Sequence, residues 1–507
     1  MPREGTPLGK VSRAFSKRGA VDVEALQAAL RPKFALAPGS QRSVSRTWLD
    51  TFDWRLHSAG LSLEHVDDGP LILQFPDGSR LQGPRPRKWP ALLPDLPAGR
   101  LRDALAPIIS VRALLPVVTV RRAAQESRVL NADGKTVARI LTESADDGVS
   151  HLQVQPLRGY DVDGDRIARL MSGVDGITAA ATTPYGDALA LASRSPGDRA
   201  QNRATSLRPE TPARVAIADM LGQFAAVIDD NVAGTIAAID TEFLHELRVA
   251  VRRTRSILKL AGDVLPANMA ERFQPEFRWL GDLTTPVRDL DVYLLELDGM
   301  AAGLASADPR DLDPFRSFLV RHRANERRRL VRGLRSQRFQ QLMSDWPVAL
   351  TQVTTQANGG PAVGALARQR IDRAFRIVVR RGTRITADSP SEQVHELRKR
   401  CKELRYLLEV FRPLCADTPY RPLIKELKAL QDTLGDFQDG EVQREAVRDF
   451  AAAMMEQGAA PPATVLAMGE LAAQLDAHQL NARGALVGRL KPFLANENRA
   501  RVKALVR

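Results

Sequence analysis

H-E-L-R-V-A-V-R-R-T-R, residues 245–255, is followed 150 positions later by a second version of itself, H-E-L-R-K-R-C-K-E-L-R, residues 395–405. Each version predicts a helix whose basic side chains recur every three or four residues, and this spacing places them on one face. We call these rows the first and the second basic stripe. The first comprises His245, Arg248, Arg252 and Arg255, and the second comprises His395, Arg398, Lys402 and Arg405. Such a row suits a ligand with regularly spaced negative charges.

The similarity extends beyond the stripes at the same offset. Asp289 and Asp291 lie 150 residues before Asp439 and Glu441. A constant offset across two separate motifs indicates a duplicated unit. Tandem helical units of this kind predict two bundles related by pseudo-twofold symmetry. The seam between them is predicted at N-G-G-P, residues 358–361.

The balance of charge predicts an acidic partner. The 507 residues include 73 Lys and Arg against 60 Asp and Glu, a formal net charge of +13, which suits nucleic acid, an anionic membrane surface or an inorganic polyanion. This length predicts two or three domains. The two cysteines are too few for a disulfide framework or a thiolate metal site. Because we find neither a secretory signal nor 18 consecutive apolar residues, we expect a cytoplasmic protein without a membrane partner.

The first part of the chain differs from the rest in its pattern. Short apolar runs bounded by turns such as Asp77-Gly78 predict β-strands, with a hairpin over residues 129–137 and a proline-rich loop over 83–90. Long amphipathic patterns follow, which predict helices. The first copy is predicted to contain helices over residues 213–235, 241–263, 267–284, 287–300 and 312–335.

The predicted fold class is therefore α+β. An antiparallel β-barrel-like domain precedes an all-α domain of two pseudo-symmetric helical bundles. The predicted segments are a basic N-terminal segment (1–20), a β-rich domain (21–192), a linker (193–212), a first bundle (213–350) and a second bundle (361–500).

The chemistry of the stripes fits phosphate groups. The planar guanidinium of arginine donates paired hydrogen bonds to phosphate oxygens and keeps its charge. We expect the two stripes to face each other across a basic groove between the bundles. Four further basic residues are predicted to widen this groove: Lys259, Arg376, Arg380 and Lys399. The basic run over residues 321–332 is interpreted as a solvated helix face.

The acidic residues of the duplicated motif are expected to be structural. Asp289, Asp291, Asp439 and Glu441 are predicted to pair with stripe residues and so to offset their mutual repulsion, in preference to binding metal. No nucleophile elbow, phosphate loop or zinc-protease motif accompanies the histidines. The sequence therefore predicts no catalytic residue, no metal and no cofactor.

The helical part resembles the CHAD family of polyphosphate-binding helical domains. The resemblance lies in the two H-E-L-R stripes, in V-R-D-L-D-V and L-G-D-F-Q-D-G-E-V, and in S-Q-R-F at residues 336–339. It covers residues 205–500 and implies non-catalytic binding of inorganic polyphosphate, with association to intracellular polyphosphate granules. Other granule-associated proteins are further candidate partners.

The preceding part is similar to the CYTH, or triphosphate tunnel, fold through W-L-D-T-F-D-W-R-L-H-S-A-G-L-S-L at residues 48–63, the strand L-I-L-Q-F, and V-T-V-R-R with its hairpin. Active members of that fold hold divalent metal through an E-x-E-x-K motif, which is missing near the start of this chain. Gln153 and Gln155 stand where an acidic strand is expected. We predict a catalytically inactive domain with an accessory anion-binding surface, formed by Arg121, Arg122, Arg128 and Arg139.

Two other functions stay open. One is a divalent-metal-dependent triphosphatase or polyphosphatase that uses the N-terminal barrel. The other is nucleic-acid binding, which the charge permits. Aromatic residues make up only 5% of the chain, so a stacking platform for single strands is not predicted, and no sequence-specific nucleic-acid motif is present.

Overall fold

A computed structural model describes residues 13–144, 148–197, 207–260, 262–355 and 360–506, except for the side chain of Asp439. The chain divides into two compact units, residues 1–200 and residues 201–507. Residues 358 and 359 of the predicted seam lie outside the described residues, as does the middle of the predicted linker. No helix in the described ranges combines the length and apolar character needed to cross a membrane.

The first unit contains one antiparallel sheet of nine strands, joined by short helices. The strands are β1 (Ala14–Arg18), β2 (Ala35–Asp50), β3 (Ser62–Val66), β4 (Leu71–Gln74), β5 (Arg80–Gly83), β6 (Leu115–Leu130), β7 (Thr136–Ser144), β8 (Val149–Pro156) and β9 (Thr178–Ala179). The helices are α1 (Val23–Leu30), α2 (Arg55–Ser58), α3 (Arg100–Ile109), α4 (Asp161–Met171) and α5 (Pro184–Leu191). The strand order is β5-β4-β3-β2-β6-β7-β8-β1-β9. This confirms the antiparallel β domain.

Turn chemistry fixes the register of the predicted hairpin. Between β6 and β7, the Asn131 side chain accepts hydrogen bonds from the backbone of Asp133 and Lys135. Gly134 has φ +71°, a left-handed conformation that glycine adopts without strain. Strand β1 lies inside the stretch for which the sequence predicts only a basic segment, and it pairs with β8 and β9.

The elements described in the second unit are helices. Its helices are α6 (Ala213–Ala237), α7 (Thr241–Leu260), α8 (Ala267–Ala302), α9 (Asp313–Leu334), α10 (Gln337–Thr355), α11 (Val363–Gly382), α12 (Ser391–Val410), α13 (Asp417–Glu456), α14 (Pro462–Leu494) and α15 (Asn496–Leu505). Each helix of the first repeat packs on the same neighbours as its counterpart in the second: α6 on α7 and α10, for example, and α11 on α12 and α15. The α+β fold class is thus confirmed.

Reciprocal contacts at the 150-residue offset relate the two repeats as a pseudo-twofold pair. The backbone N–H of Ala213 donates to the carbonyl of Pro361 (2.8 Å), and the N–H of Val363 donates to the carbonyl of Thr211 (2.8 Å). The two bonds exchange when 150 is added to or subtracted from each residue number, which is what an isologous contact requires. The repeats also share one apolar core, which includes side chains from α6 to α15.

One helix boundary differs from the sequence prediction. Residues 267–284 and 287–300 are predicted as two helices, but α8 continues through Pro275 and Pro286 over 36 residues. A proline in a helix removes one backbone N–H donor and crowds the preceding turn. Buried apolar contacts on both sides of Pro286, from Phe277, Leu280 and Leu290, hold the helix straight enough to continue.

Candidate anion-binding site

Helix α7 presents the first basic stripe because its other face is apolar. Phe243, Leu244, Leu247, Val251 and Leu258 are buried, and they recur with the helical period that defines a core-facing side. The basic residues are therefore held on the opposite side. Of these, Arg252, Arg255 and Lys259 are exposed, whereas His245 and Arg248 are half-buried.

Neutral groups of α8 hold Arg248. Its Nη1 donates to Thr285 Oγ1 (2.7 Å) and to Thr284 Oγ1 (3.2 Å). Both hydroxyls in turn donate to the carbonyl of Gly281, at 2.9 and 2.8 Å. Since no carboxylate takes part, the guanidinium is oriented while its charge is left for a ligand.

Gly281 lets Arg255 approach the backbone of α8. A Cβ atom on Gly281 would lie 2.5 Å from Arg255 Nη1, closer than two such atoms can come. A glycine within a helix costs about 0.5–1 kcal/mol relative to alanine. Here the missing side chain makes room for a guanidinium.

These residues line a pocket of about 220 Å³ between α7 and α8. Four arginines surround it: Arg248, Arg252, Arg255 and Arg288. In the described part of the chain, Arg248, Arg252 and Arg255 form no ion pair, and Arg288 lies 3.9 Å from Glu242. The pocket is therefore a concentration of positive charge that the protein itself neutralises only in part.

The electrostatics of the pocket act on its histidine and its buried arginine. Burial lowers the pKa of His245, and the nearby cations of Arg288, Arg252 and Arg248 lower it further. Burial likewise lowers the pKa of Arg248, against the attraction of Asp289. Both shifts have the sign expected where positive charge is crowded and partly desolvated, a situation that a bound anion would relieve.

A second, wider depression of about 880 Å³ adjoins the first through Arg255. Its lining includes Lys259 from α7, Arg278 from α8 and Arg329 from α9, together with the acids Glu271 and Asp282. Arg329 belongs to the basic run interpreted from sequence as a solvated face. The structure thus provides a continuous basic path along α7 and α8.

The second basic stripe has a different environment. Arg405 Nε donates to Glu409 (2.6 Å), and its Nη1 donates to Gln431 Oε1 (3.2 Å). His395 Nδ1 lies 2.6 Å from Gln438 Oε1. The cations of α12 therefore lie beside acceptors from α12 itself, at Glu409, and from α13, at Gln431 and Gln438.

The two stripe helices contact each other directly. Arg252 stacks over Tyr406 at 5.2 Å from the ring centroid, and Lys259 Nζ lies 2.7 Å from Glu403. No residue of α12 lines either of the two depressions described above. A groove between opposed stripes remains a prediction, because the observed basic path runs over α7 and α8.

The remaining predicted groove residues are exposed on helix surfaces. Lys399 pairs with Glu396 (2.9 Å) and Arg376 with Asp372 (2.9 Å), each within its own helix. Arg380 is exposed near the end of α11. Exposed pairs of this kind contribute little stability.

The expectation that the motif carboxylates pair with stripe residues is wrong for Asp291. Its carboxylate is 3% exposed and pairs with Arg323 of α9. Asp289 acts on Arg248 through its charge. Among the stripe cations, Arg405 pairs with Glu409 of its own helix. The expected pairing of Asp439 falls on a side chain outside the described residues.

The described residues include one group whose ligand atoms are close enough to hold a metal ion. It consists of Glu242, His245 and Glu246, whose candidate ligand atoms lie within 4.8 Å of one another. Arg288 lies beside Glu242, so a cation there would meet the positive charge of the pocket. We interpret Glu242 as the partner of Arg288.

In the first unit, strand interiors hold ionisable groups that pair with each other. Arg46 contacts both Glu64 and Glu143, and His151 Nε2 lies 3.2 Å from Asp187. Gln155 Nε2 donates to Gln153 Oε1 (3.2 Å), so the two amides lie on one side of β8.

The predicted accessory surface needs one correction. Arg122 is 7% exposed and donates to the carbonyl of Val149, so it cannot belong to an external anion-binding surface. Arg139 lies 2.9 Å from Glu126. Arg121 and Arg128 are exposed.

Comparison with known proteins identifies the class of the helical unit. Residues 218–448 match the model of the CHAD domain, a range that contains both basic stripes. The resemblance to the CHAD domain that the duplicated motifs predict is thus confirmed for residues 218–448.

Individual relatives are more distant. An uncharacterized protein of Mycobacterium tuberculosis is 29% identical over 211 residues, 40% of this chain and 39% of the relative, so the match spans well under half of that protein. The crystal structure of the CHAD domain from the plant Ricinus communis is similar with a TM-score of 0.49 and 27% identity, over 57% of this chain and 95% of that one. PptA from Streptomyces chartreusis has a TM-score of 0.42 and 17% identity, over 55% and 100%.

Proposed function

We propose that this protein binds inorganic polyphosphate, without chemistry, through the face of α7 and α8 that carries the first basic stripe. One observation carries the proposal: four arginines converge on a single pocket, and three of them form no ion pair within the described residues. CHAD domains, which this chain resembles in its motifs, imply polyphosphate as the ligand.

Positive charges placed side by side along α7 cost free energy. Neighbouring cations on a helix repel each other, and partial burial makes their charge harder to keep. A linear polyanion supplies one negative charge after another and so offsets the repulsion along the whole stripe. Arginine is suited to this role because its donors match phosphate oxygens in pairs.

Nucleic acid is the less favoured polyanion. Single-strand binders stack bases on exposed aromatic rings, but Tyr406 is covered by Arg252 and Trp279 by Arg338. Among the described residues that line the two depressions, Trp279 is the one aromatic residue. The basic path therefore offers charge without a platform for bases.

A titration with long-chain polyphosphate at two salt concentrations tests the proposal. We expect an affinity that falls with salt, because bound phosphates release counterions, and that survives double-stranded DNA at equal phosphate concentration. Weak binding that DNA displaces would show that the stripe attracts any polyanion through its charge and does not select polyphosphate.

For the first unit we propose that no phosphate hydrolysis occurs. Its interior acids Glu64 and Glu143 are engaged by Arg46, and Gln153 and Gln155 lack the charge that would hold magnesium against a triphosphate. The direct check is incubation with tripolyphosphate and magnesium or manganese. Release of orthophosphate would contradict this proposal and support the triphosphatase alternative.

In cells we propose association with polyphosphate granules. A fluorescently tagged protein should concentrate on these granules, and a variant with alanine at Arg248, Arg252 and Arg255 should be dispersed. Equal recruitment of the variant would show that another surface, or another granule protein, brings it there.

A further inference from the structure

The two repeats differ at the positions that surround the pocket. Adding 150 to each pocket position of α8 gives its counterpart in α13. Gly281, Thr284, Thr285 and Arg288 correspond to Gln431, Leu434, Gly435 and Gln438. None of the four identities is kept, although the stripe residues that face them are nearly the same.

Contacts confirm that these positions are structurally equivalent. Arg255 packs on Gly281 in the first repeat, and its counterpart Arg405 donates to Gln431, the residue in the glycine's place. Arg288 and His245 line the same pocket, and Gln438, the counterpart of Arg288, contacts His395. Equivalent positions of the two repeats therefore carry side chains with different chemical groups.

Each difference favours anion binding in the first repeat. Gly281 leaves space that the Gln431 side chain occupies. The hydroxyls of Thr284 and Thr285 orient Arg248, whereas Leu434 has no hydrogen-bonding group. Arg288 contributes a charge that Gln438 lacks.

Counterions strengthen the contrast. Position 259 is a lysine in the first repeat, and its counterpart is Glu409, which pairs with Arg405. Arg252 and Arg255 are exposed, while Lys402 and Arg405 are half-buried. An anion that approaches Arg405 must displace the carboxylate of Glu409 before it can bind there.

We propose that the chain has one primary polyphosphate site, in the pocket of the first repeat, which takes a short segment of a few phosphate units. This inference rests on the proposed function and specifies it. The second stripe then contributes only to the binding of longer chains. A pocket of about 220 Å³ that opens into the wider depression fits a segment that enters at Arg288 and leaves past Arg255.

Calorimetry with inorganic tripolyphosphate tests the number of sites. We expect one tripolyphosphate per chain, because among the described residues the pocket of the first repeat has space and unpaired arginines, whereas Gln431 and Glu409 contact Arg405 at the equivalent place in the second repeat. Two equivalent sites per chain, as strict duplication would give, would overturn the inference.

A matched pair of double variants tests the location. Arg252→Ala with Arg255→Ala and Lys402→Ala with Arg405→Ala each remove two charges at equivalent positions. We expect the first pair to weaken tripolyphosphate binding by roughly a hundredfold, as the loss of two charge-assisted contacts implies, and the second pair to weaken it by about twofold or less. Circular dichroism verifies that both variants are folded.

The possible outcomes distinguish a failure of this inference from a failure of the proposed function. Equal losses in the two variants, or a larger loss in the second, overturn the inference while polyphosphate binding stands. Absence of binding by the wild-type chain to both tripolyphosphate and long-chain polyphosphate overturns the proposed function, and this inference falls with it.

Discussion

Arg248 and Arg255 show how single side chains prepare the pocket. Both are predicted from the sequence as members of the stripe, since helical spacing alone places them on one face. Their partners, Thr284, Thr285 and Gly281, are not predicted. They belong to another helix, and nothing in their local sequence marks them except a spacing of three and four residues between 281, 284, 285 and 288, which becomes meaningful once α8 is known to face α7.

The substitution Gly281→Ala should change protein stability and polyphosphate affinity in opposite directions. A methyl group removes the entropic cost of glycine, so the free energy of unfolding should rise by up to about 0.5–1 kcal/mol while Arg255 is displaced and polyphosphate affinity falls. The control is Gly299→Ala in the same helix, where a new Cβ meets nothing within 4 Å. It should stabilise the protein with unchanged affinity, and equal affinities for the two variants would refute the role of Gly281.

His245 should make binding depend on pH. Burial and neighbouring arginines lower its pKa in the free protein, and a bound polyanion raises it again. The complex therefore binds more protons than the free protein, so affinity should increase as the pH falls below neutrality, through the interval between the two pKa values. Titrations across this interval should show a shallower dependence for His245→Gln, and an unchanged slope would exclude His245 as the source.

Helix α8 links the pocket to the core. Its residues from Gly281 to Arg288 line the pocket, and one turn further Asp291 reaches α9 through Arg323. The two helices predicted for this region, 267–284 and 287–300, lie on either side of Pro286, a residue that usually ends a helix. Tertiary packing overrides that local preference, which sequence patterns cannot reveal.

The pair between α8 and α9 should be important for stability. Burial raises the pKa of Asp291, and the charge of Arg323 opposes this rise. Arg323→Ala leaves a buried carboxylate without its partner and should cost on the order of 3 kcal/mol in chemical denaturation near neutral pH.

The pH dependence of this loss checks its cause. A carboxyl whose pKa is raised in the folded state favours folding when protonated, so the loss should shrink as the pH falls. The exposed pair of Arg421 and Asp417 supplies the control: Arg421→Ala should change stability by less than about 1 kcal/mol. Similar losses for the two variants would contradict the account of Asp291.

Over the whole chain, the sequence predicts the repeats and the fold class but not the full difference in environment between the two basic stripes. The duplication, the α+β class and the two stripes are visible because they depend on periodicity and offset. The pairing of Arg405 with Glu409 lies within α12 at a spacing of four residues and is visible in the sequence, whereas the contact of Arg405 with Gln431 of α13 depends on which helices meet. The expected pairing of Asp291 with the stripe failed for the same reason, since Arg323 lies on a helix whose position the sequence does not give.

The most direct measurement compares polyphosphate binding by two variants of equal net charge. One replaces Arg248, Arg252 and Arg255 with alanine. The other replaces Arg421, Arg489 and Arg499, three exposed arginines on α13, α14 and α15. Loss of binding in the first variant with near wild-type affinity in the second is the result we predict, and equal affinities in the two would contradict a binding site on α7 and α8.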